Sequence, residues 1–215
     1  TNNNDSATAS IVIGGAMSFE NLFLINGVSV NENLRGQALP LFIEDAIQET
    51  TVTTGSVSAE FGRFSGGVVN AITKSGGNEF SGSFRTTFTN DDWRSLSPQQ
   101  GDFKVDDTIP TYEFTAGGPV LRDRLWFFGA GRLSDKVEAR QTDFLNAPFG
   151  FGQNEKRFEG KGTWNIANAH TFRGSYIGRR REETNARFTG AMDERSLYDR
   201  KLPENLYSAN YTGII

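Results

Sequence analysis

Residues 157–166 read RFEGKGTWNI, and consecutive residues alternate between two chemistries. In an extended chain Phe158, Gly160, Gly162, Trp164 and Ile166 share one face, while Arg157, Glu159, Lys161, Thr163 and Asn165 share the other. A soluble core has no use for a strand that is this greasy on one side and this charged on the other. The same period of two appears at residues 80–89 (FSGSFRTTFT), with Phe80, Phe84 and Phe88 opposite Ser81, Arg85 and Thr89. It returns at residues 111–117, 169–179 and 206–215, where Tyr112, Phe114, Phe172, Tyr176, Tyr207 and Tyr211 mark the apolar face. Residues 125–134 (LWFFGAGRLS) are the least regular member, because Trp126, Phe127 and Phe128 are adjacent and obscure the phase. An aromatic cluster near a strand end fits the girdle of a membrane interface.

Six strands are expected, and the links between them alternate in length. Residues 90–110, 135–156 and 181–205 are long and polar, whereas 118–123 and 167–168 are short. Hairpin loops of soluble meanders are mostly short on both sides. Outer-membrane barrels instead join strands by short periplasmic turns at one end and longer extracellular loops at the other. Each run is near the ~9 to 11 residues that a tilted strand needs to cross a bilayer. Six strands are too few to close around a folded domain, so the barrel is expected to continue past residue 215.

Composition agrees once it is read by position. Mean hydropathy is −0.47, and no run approaches the ~18 apolar residues of a membrane helix. A barrel strand hides a lipid-facing surface inside a modest average, and Phe 18 with Gly 24 supplies such a surface. Lys+Arg 22 against Asp+Glu 26, a net charge of −4, gives no basic field for nucleic acid. With Cys 0 and His 1, thiolate chemistry, disulfides and multi-histidine metal clusters are excluded. Residues 1–10 (TNNNDSATAS) form a polar N-terminal segment without the charged and apolar regions of a secretion signal. The expectation is that either the start has been removed or the chain is a piece of a longer protein.

Residues 11–77 have a different texture, with short apolar runs broken by Gly, Asn and Ser. Asn26-Gly27 predicts a tight hairpin, since both turn positions need positive φ. Residues 40–46 (PLFIEDA) predict a short proline-initiated helix and 48–53 a strand. The expectation is a small α+β module feeding a barrel.

Three stretches, ENLFLINGVSVNE (20–32), PLFIEDAIQETTVTTGSVSAEFGRFSGGVVNAITKSGGNEFSGSF (40–84) and GGPVLRDRLWFFGAG (117–131), resemble the plug and early barrel of TonB-dependent outer-membrane receptors, most of all the Oar-like group. The resemblance implies residues 11–77 as the C-terminal part of a plug domain. Residues 78–215 would be the first six strands of a barrel of about 22. It also implies residence in the outer membrane of a Gram-negative bacterium and energy-coupled uptake of an unidentified external ligand. Outer-membrane lipid and lipopolysaccharide would surround the barrel, and a TonB-type inner-membrane protein would engage a segment not present in this chain.

Within that resemblance Glu60, Arg63, Gly66, Gly67 and Lys74 are expected on the plug side of a plug–barrel interface. Glu113 and Glu159, on the lumen faces, are the barrel-side candidates for a carboxylate facing Arg63. A local turn contact between Arg63 and Glu60 is the plainer alternative. Arg179, Arg180 and Arg181 fall where a strand should emerge outside, and are candidates for a lipopolysaccharide contact, against a solvated rim neutralised by Glu182 and Glu183. Asp91, Asp92, Asp102, Asp106 and Asp107 lack the spacing of a calcium loop and read as a plain acidic loop. His170 reads as an interfacial side chain. No catalytic set, cofactor motif or metal site is expected. Two other readings use the same residues: a secreted or surface β-rich binding or adhesion protein, whose aromatic face would be a dry intersheet core, and the same barrel scaffold employed for protein export.

Overall fold

The computed structural model describes residues 12–33, 36–55, 61–62, 64–93, 95, 106–187 and 193–214. A small sheet comes first, built from β1 (Leu22–Ile25), β2 (Val28–Ser29), β3 (Ile47–Thr53) and β4 (Val68–Thr73) in the order β2-β1-β4-β3. β1 and β2 form the expected hairpin, with Asn26 and Gly27 at φ 52° and 81°. β1 lies parallel to β4, and β3 is antiparallel to β4.

The expected helix at 40–46 does not form. Only Glu44–Ala46 makes a single 3-10 turn, and the described residues contain no α-helix. The reason lies in packing. Leu41 enters one apolar cluster with Phe23, Ile25 and Val30, while Ile43 and Ala46 enter another. An extended strap reaches both clusters, whereas a helix would turn Leu41 and Ile43 to opposite sides of one short cylinder.

The second sheet has six antiparallel strands in chain order: β5 (Ser81–Asn90), β6 (Thr108–Leu121), β7 (Leu125–Gln141), β8 (Pro148–Ala167), β9 (His170–Ala186) and β10 (Tyr198–Gly213). Each pairs only with its sequence neighbours, as a meander requires. The short connections are tight: Asp123 and Ala169 take positive φ in the β6–β7 and β8–β9 turns. Asn78 braces the first of these turns, donating to Asp123 Oδ1 at 2.6 Å and accepting from the Trp126 indole at 2.7 Å.

Several strands run longer than the alternation predicts. β8 has 20 residues and β7 has 17, so the link read at 135–156 shrinks to residues 142–147. There the outer face is as polar as the inner one, so backbone pairing continues after the sequence pattern has faded. The outward row Asp135, Asn154 and Glu182 is such a stretch.

This sheet is inside out. Phe84 and Tyr207 are 72% and 73% exposed, and Phe80, Phe88, Phe114, Phe158 and Trp164 also lie on the outer face. On the other face Glu113, Glu155, Arg157, Glu159, Arg179, Arg181 and Glu183 are all buried. A soluble protein is built the other way round. The aromatic face is not the intersheet core of a sandwich, since the small sheet packs on the charged side. Phe128 corrects the reading of 125–134: it is buried inward against Ile43 and Ala46, while its neighbour Phe127 points outward.

Candidate functional site at the contact between the sheets

The small sheet is seated on the inner face of the wall by two apolar contacts and a set of ionic ones. Ile177 of β9, 1% exposed, joins Phe23, Ile25, Val30 and Leu41, with Leu206 of β10 packed alongside. Phe128 and Ala130 of β7 close over Ile43 and Ala46. Both patches arise because an inward position of the wall, otherwise polar, carries an apolar side chain where the small sheet presents one.

Between the patches runs a charge ladder. Arg85, Glu113 and Arg132 are in register across β5, β6 and β7, so two guanidiniums flank one buried carboxylate. Arg132 donates to Glu113 at 2.9 Å, and Arg85 is ion-paired to the other carboxylate oxygen. Their remaining donors reach across to the 3-10 turn. Arg85 meets Glu44 at 2.9 Å and Asp45 at 3.1 Å, and Arg132 meets Glu44 at 3.2 Å. Partial burial works to raise the Glu44 pKa, but the Arg132 and Arg85 guanidiniums outweigh it and hold this carboxyl below its ordinary value.

Farther along, Glu155 accepts from Arg157 at 2.6 Å and from Arg179 at 2.6 and 2.8 Å, and Arg179 also reaches Glu204 at 3.0 Å. Arg157 spans the gap, donating to the Phe42 carbonyl at 2.6 Å. Lys161 makes a further bridge, to the Thr73 carbonyl at 2.7 Å and to Asn26 Oδ1 at 3.3 Å. Glu155, Arg157 and Arg179 persist as buried charges because they are paired with and hydrogen-bonded to one another. Beside Lys161 a polar cavity of about 490 Å³ separates Asn26 and Asn70 of the small sheet from Arg173, Ser208 and Asn210 of the wall.

Of the residues expected at this contact, Glu113 is in it through Arg85 and Arg132. Glu159 is buried on the wall's inner face, and its Oε1 has no hydrogen-bond partner among the described residues. Glu60 and Arg63 lie outside the described residues. Gly66, Gly67 and Lys74 serve the small sheet's own interior instead. A Cβ on Gly66 would strike the Asn21 side chain, one on Gly67 would strike Ile13, and the Lys74 ammonium donates to the Asp45 carbonyl at 2.7 Å. The arginine triplet splits by strand alternation. Arg179 and Arg181 face inward, 2% and 7% exposed, so neither is placed for a lipid contact, and only Arg180 faces out. Of the acidic loop, Asp102 lies outside the described residues, and no cluster of metal-binding type occurs among those described.

Sequence reasoning missed Glu44, Asp45, Arg85, Arg132 and Lys161. The wall cations were within its reach, since alternation puts all three on the face of Glu113 and Glu159. The acidic turn was not, because nothing local announces which way residues 40–46 will face.

No protein-family model matches the chain. In sequence it is 37% identical over 148 residues to the TonB-dependent transporter Oar of Myxococcus xanthus, an alignment covering 64% of this chain and 14% of that protein. In structure it is similar to the siderophore receptor PirA of Acinetobacter baumannii, with TM-score 0.70 at 18% identity over 94% of this chain and 31% of that one. It is similar also to a mutant of the ferric enterobactin receptor PfeA of Pseudomonas aeruginosa, with TM-score 0.69 at 18% identity over 96% of this chain and 34% of that one. The outer-membrane transporter YddB of Escherichia coli gives TM-score 0.63 at 20% identity, over 94% and 30%. The chain thus spans about a third of these solved structures and a much smaller part of the curated relative.

An inside-out antiparallel sheet carrying a small sheet on its charged face is the fold of one class of protein, the TonB-dependent outer-membrane receptors, and the chain shares that fold. Within the class its sequence likeness is to the Oar-like group.

Proposed function

We propose that this chain is the working junction of an energy-coupled outer-membrane transporter in a Gram-negative bacterium. Residues 11–77 act as the C-terminal part of the plug, and residues 78–215 as the first six strands of the barrel around it. An external ligand approaches from the long-loop end, and a TonB-type inner-membrane protein draws on the plug from the short-turn end. The observation carrying this reading is the seating of the small sheet. It is fastened to the wall by two small apolar patches and by ion pairs exchangeable for water, a contact suited to loosening under force. The polar cavity beside Lys161 supplies a wet boundary along which such movement can start.

The test uses the full-length parent. It should sediment with outer membranes, show heat-modifiable gel migration, and bind the purified periplasmic domain of a TonB-type protein. A parent that is monodisperse in water without detergent, with no heat-modifiable form, refutes the proposal.

A further inference from the structure

On the inner face Glu155, Arg157, Arg179, Arg181 and Glu183 are ion-paired, but on the outer face Lys156 and Arg180 form no ion pair among the described residues. Lys156 of β8 and Arg180 of β9 are directly opposite one another, both exposed and both outward. Like charges facing across a ladder destabilise it. Hydrogen bonds from Arg180 run through Nη1 to the carbonyls of Arg179 and Glu204 and to Asn205 Oδ1, all neutral acceptors. The outward carboxylates Glu182 and Asp135 stand one row higher; Glu182 is held by Lys201 at 2.8 Å and lies within the field of Lys156, so three cations face two carboxylates. The patch therefore has surplus positive charge at one defined level of the wall.

That level is informative. Trp164, Phe172 and Tyr211 form an outward aromatic row at the short-turn end, in register across β8, β9 and β10. Lys156 is eight residues farther up β8 than Trp164. At about 3.4 Å per residue and a tilt of about 40°, this is roughly 20 Å of height, close to the ~25 Å of a barrel's apolar band. Immediately below the cations lie Phe158, Tyr176 and Tyr207, with the two tyrosine rings 5.0 Å apart. The cations mark the upper rim of the lipid-facing band.

We propose that Lys156 and Arg180 form a binding site for the phosphate groups of the anionic lipid in the leaflet at the long-loop end. A guanidinium and an ammonium at one level offer a planar fork and a point charge to a phosphate. The anion removes the repulsion between the two cations, and the aromatic row below meets the acyl chains of the same molecule. A free phosphate would satisfy only the charges. The site rests on the orientation given under Proposed function.

The test is retention of lipid A by the full-length receptor, purified from outer membranes and then exchanged into bilayer discs of phosphatidylethanolamine with and without added lipid A. The K156Q/R180Q double variant should retain roughly tenfold less lipid A, with heat-modifiable migration unchanged. The charge-preserving K156R should retain it as the parent does. R122Q/R124Q, which removes exposed cations at the short-turn end, should change nothing. Parental retention by K156Q/R180Q overturns the site, and loss in R122Q/R124Q alone overturns its placement. Full displacement by millimolar inorganic phosphate overturns the lipid as its source. A parent lacking the heat-modifiable form fails separately, by refuting the barrel itself.

Discussion

Truncating Phe128 to alanine should loosen the small sheet far more than neutralising Glu44, although Glu44 makes the more conspicuous contacts. Phe128 is 6% exposed and fills the space over Ile43 and Ala46. Emptying a buried phenylalanine site costs about 3–5 kcal/mol, because lost transfer energy and a residual cavity add. The Glu44 side chain is 53% exposed, and its two arginine partners retain Glu113 when it is removed. Ion pairs so open to water are worth about 0.2–1 kcal/mol each. Amide hydrogen exchange of β1 and β4 in the full-length receptor reads the opening free energy directly. F128A should lower protection there by roughly two to three and a half orders of magnitude, and E44Q, with two such pairs, by less than about thirtyfold. Raising the salt should reproduce most of the E44Q effect in the parent and none of the F128A effect. Amides of β8 and β9 act as the internal control. An E44Q loss equal to that of F128A would refute the claim that apolar seating dominates.

The Glu44 carboxyl is held below its ordinary value of 4.5, so its contribution is fully present above that pH and is lost as pH falls through the lowered folded value. Protection of β1 and β4 measured between pH 6 and pH 3 should therefore contain an acid-side component that E44Q abolishes. Gly76 lies on the link between the sheets, where a Cβ would strike the Phe127 carbonyl and approach the Gly118 carbonyl within 3.0 Å, while Gly77 has nothing within 4 Å. G76A should cost about 1–3 kcal/mol and reduce the heat-modifiable fraction on refolding, and G77A should match the parent. Glu155 is the shared acceptor of Arg157 and Arg179. E155A leaves two buried guanidiniums short of their carboxylate, a loss of about 3–5 kcal/mol, seen as a lower denaturant midpoint for the intact receptor in detergent. An E155A midpoint equal to the parent's would show that water, rather than Glu155, solvates these arginines.

The wall was legible in the sequence because a membrane strand writes its environment on alternate residues. Phe84, Phe114, Phe158 and Tyr207 could be assigned outward, and Glu113 and Arg157 inward, from parity alone. Parity failed where the environment stopped alternating. Above the apolar band both faces are wet, so β7 and β8 ran on past the expected ends. Within residues 125–134 three adjacent aromatics left the phase open until Ile43 and Ala46 were seen to need Phe128. The segment 40–46 was misread for the opposite reason. Its proline and acidic turn are good local signals for a helix start, but Leu41 and Ile43 belong to two separate clusters, which only an extended chain can serve. Local propensity yielded to tertiary contact.

The same parity argument divides Arg179, Arg180 and Arg181, which the linear sequence presents as one block of charge. Two of them are wall charges whose carboxylates, Glu155, Glu204 and Glu183, sit on the same inner face. Arg180 belongs to a different solvent. A basic triplet on a helix or a loop offers its charges in concert, but on a barrel strand it is cut in two by the wall. What decides the role of Arg180 is then its row across the sheet: Leu133 and Lys156 on one side, Pro203 on the other. Function in such a wall is organised by height and face, so residues distant in sequence act together while immediate neighbours do not.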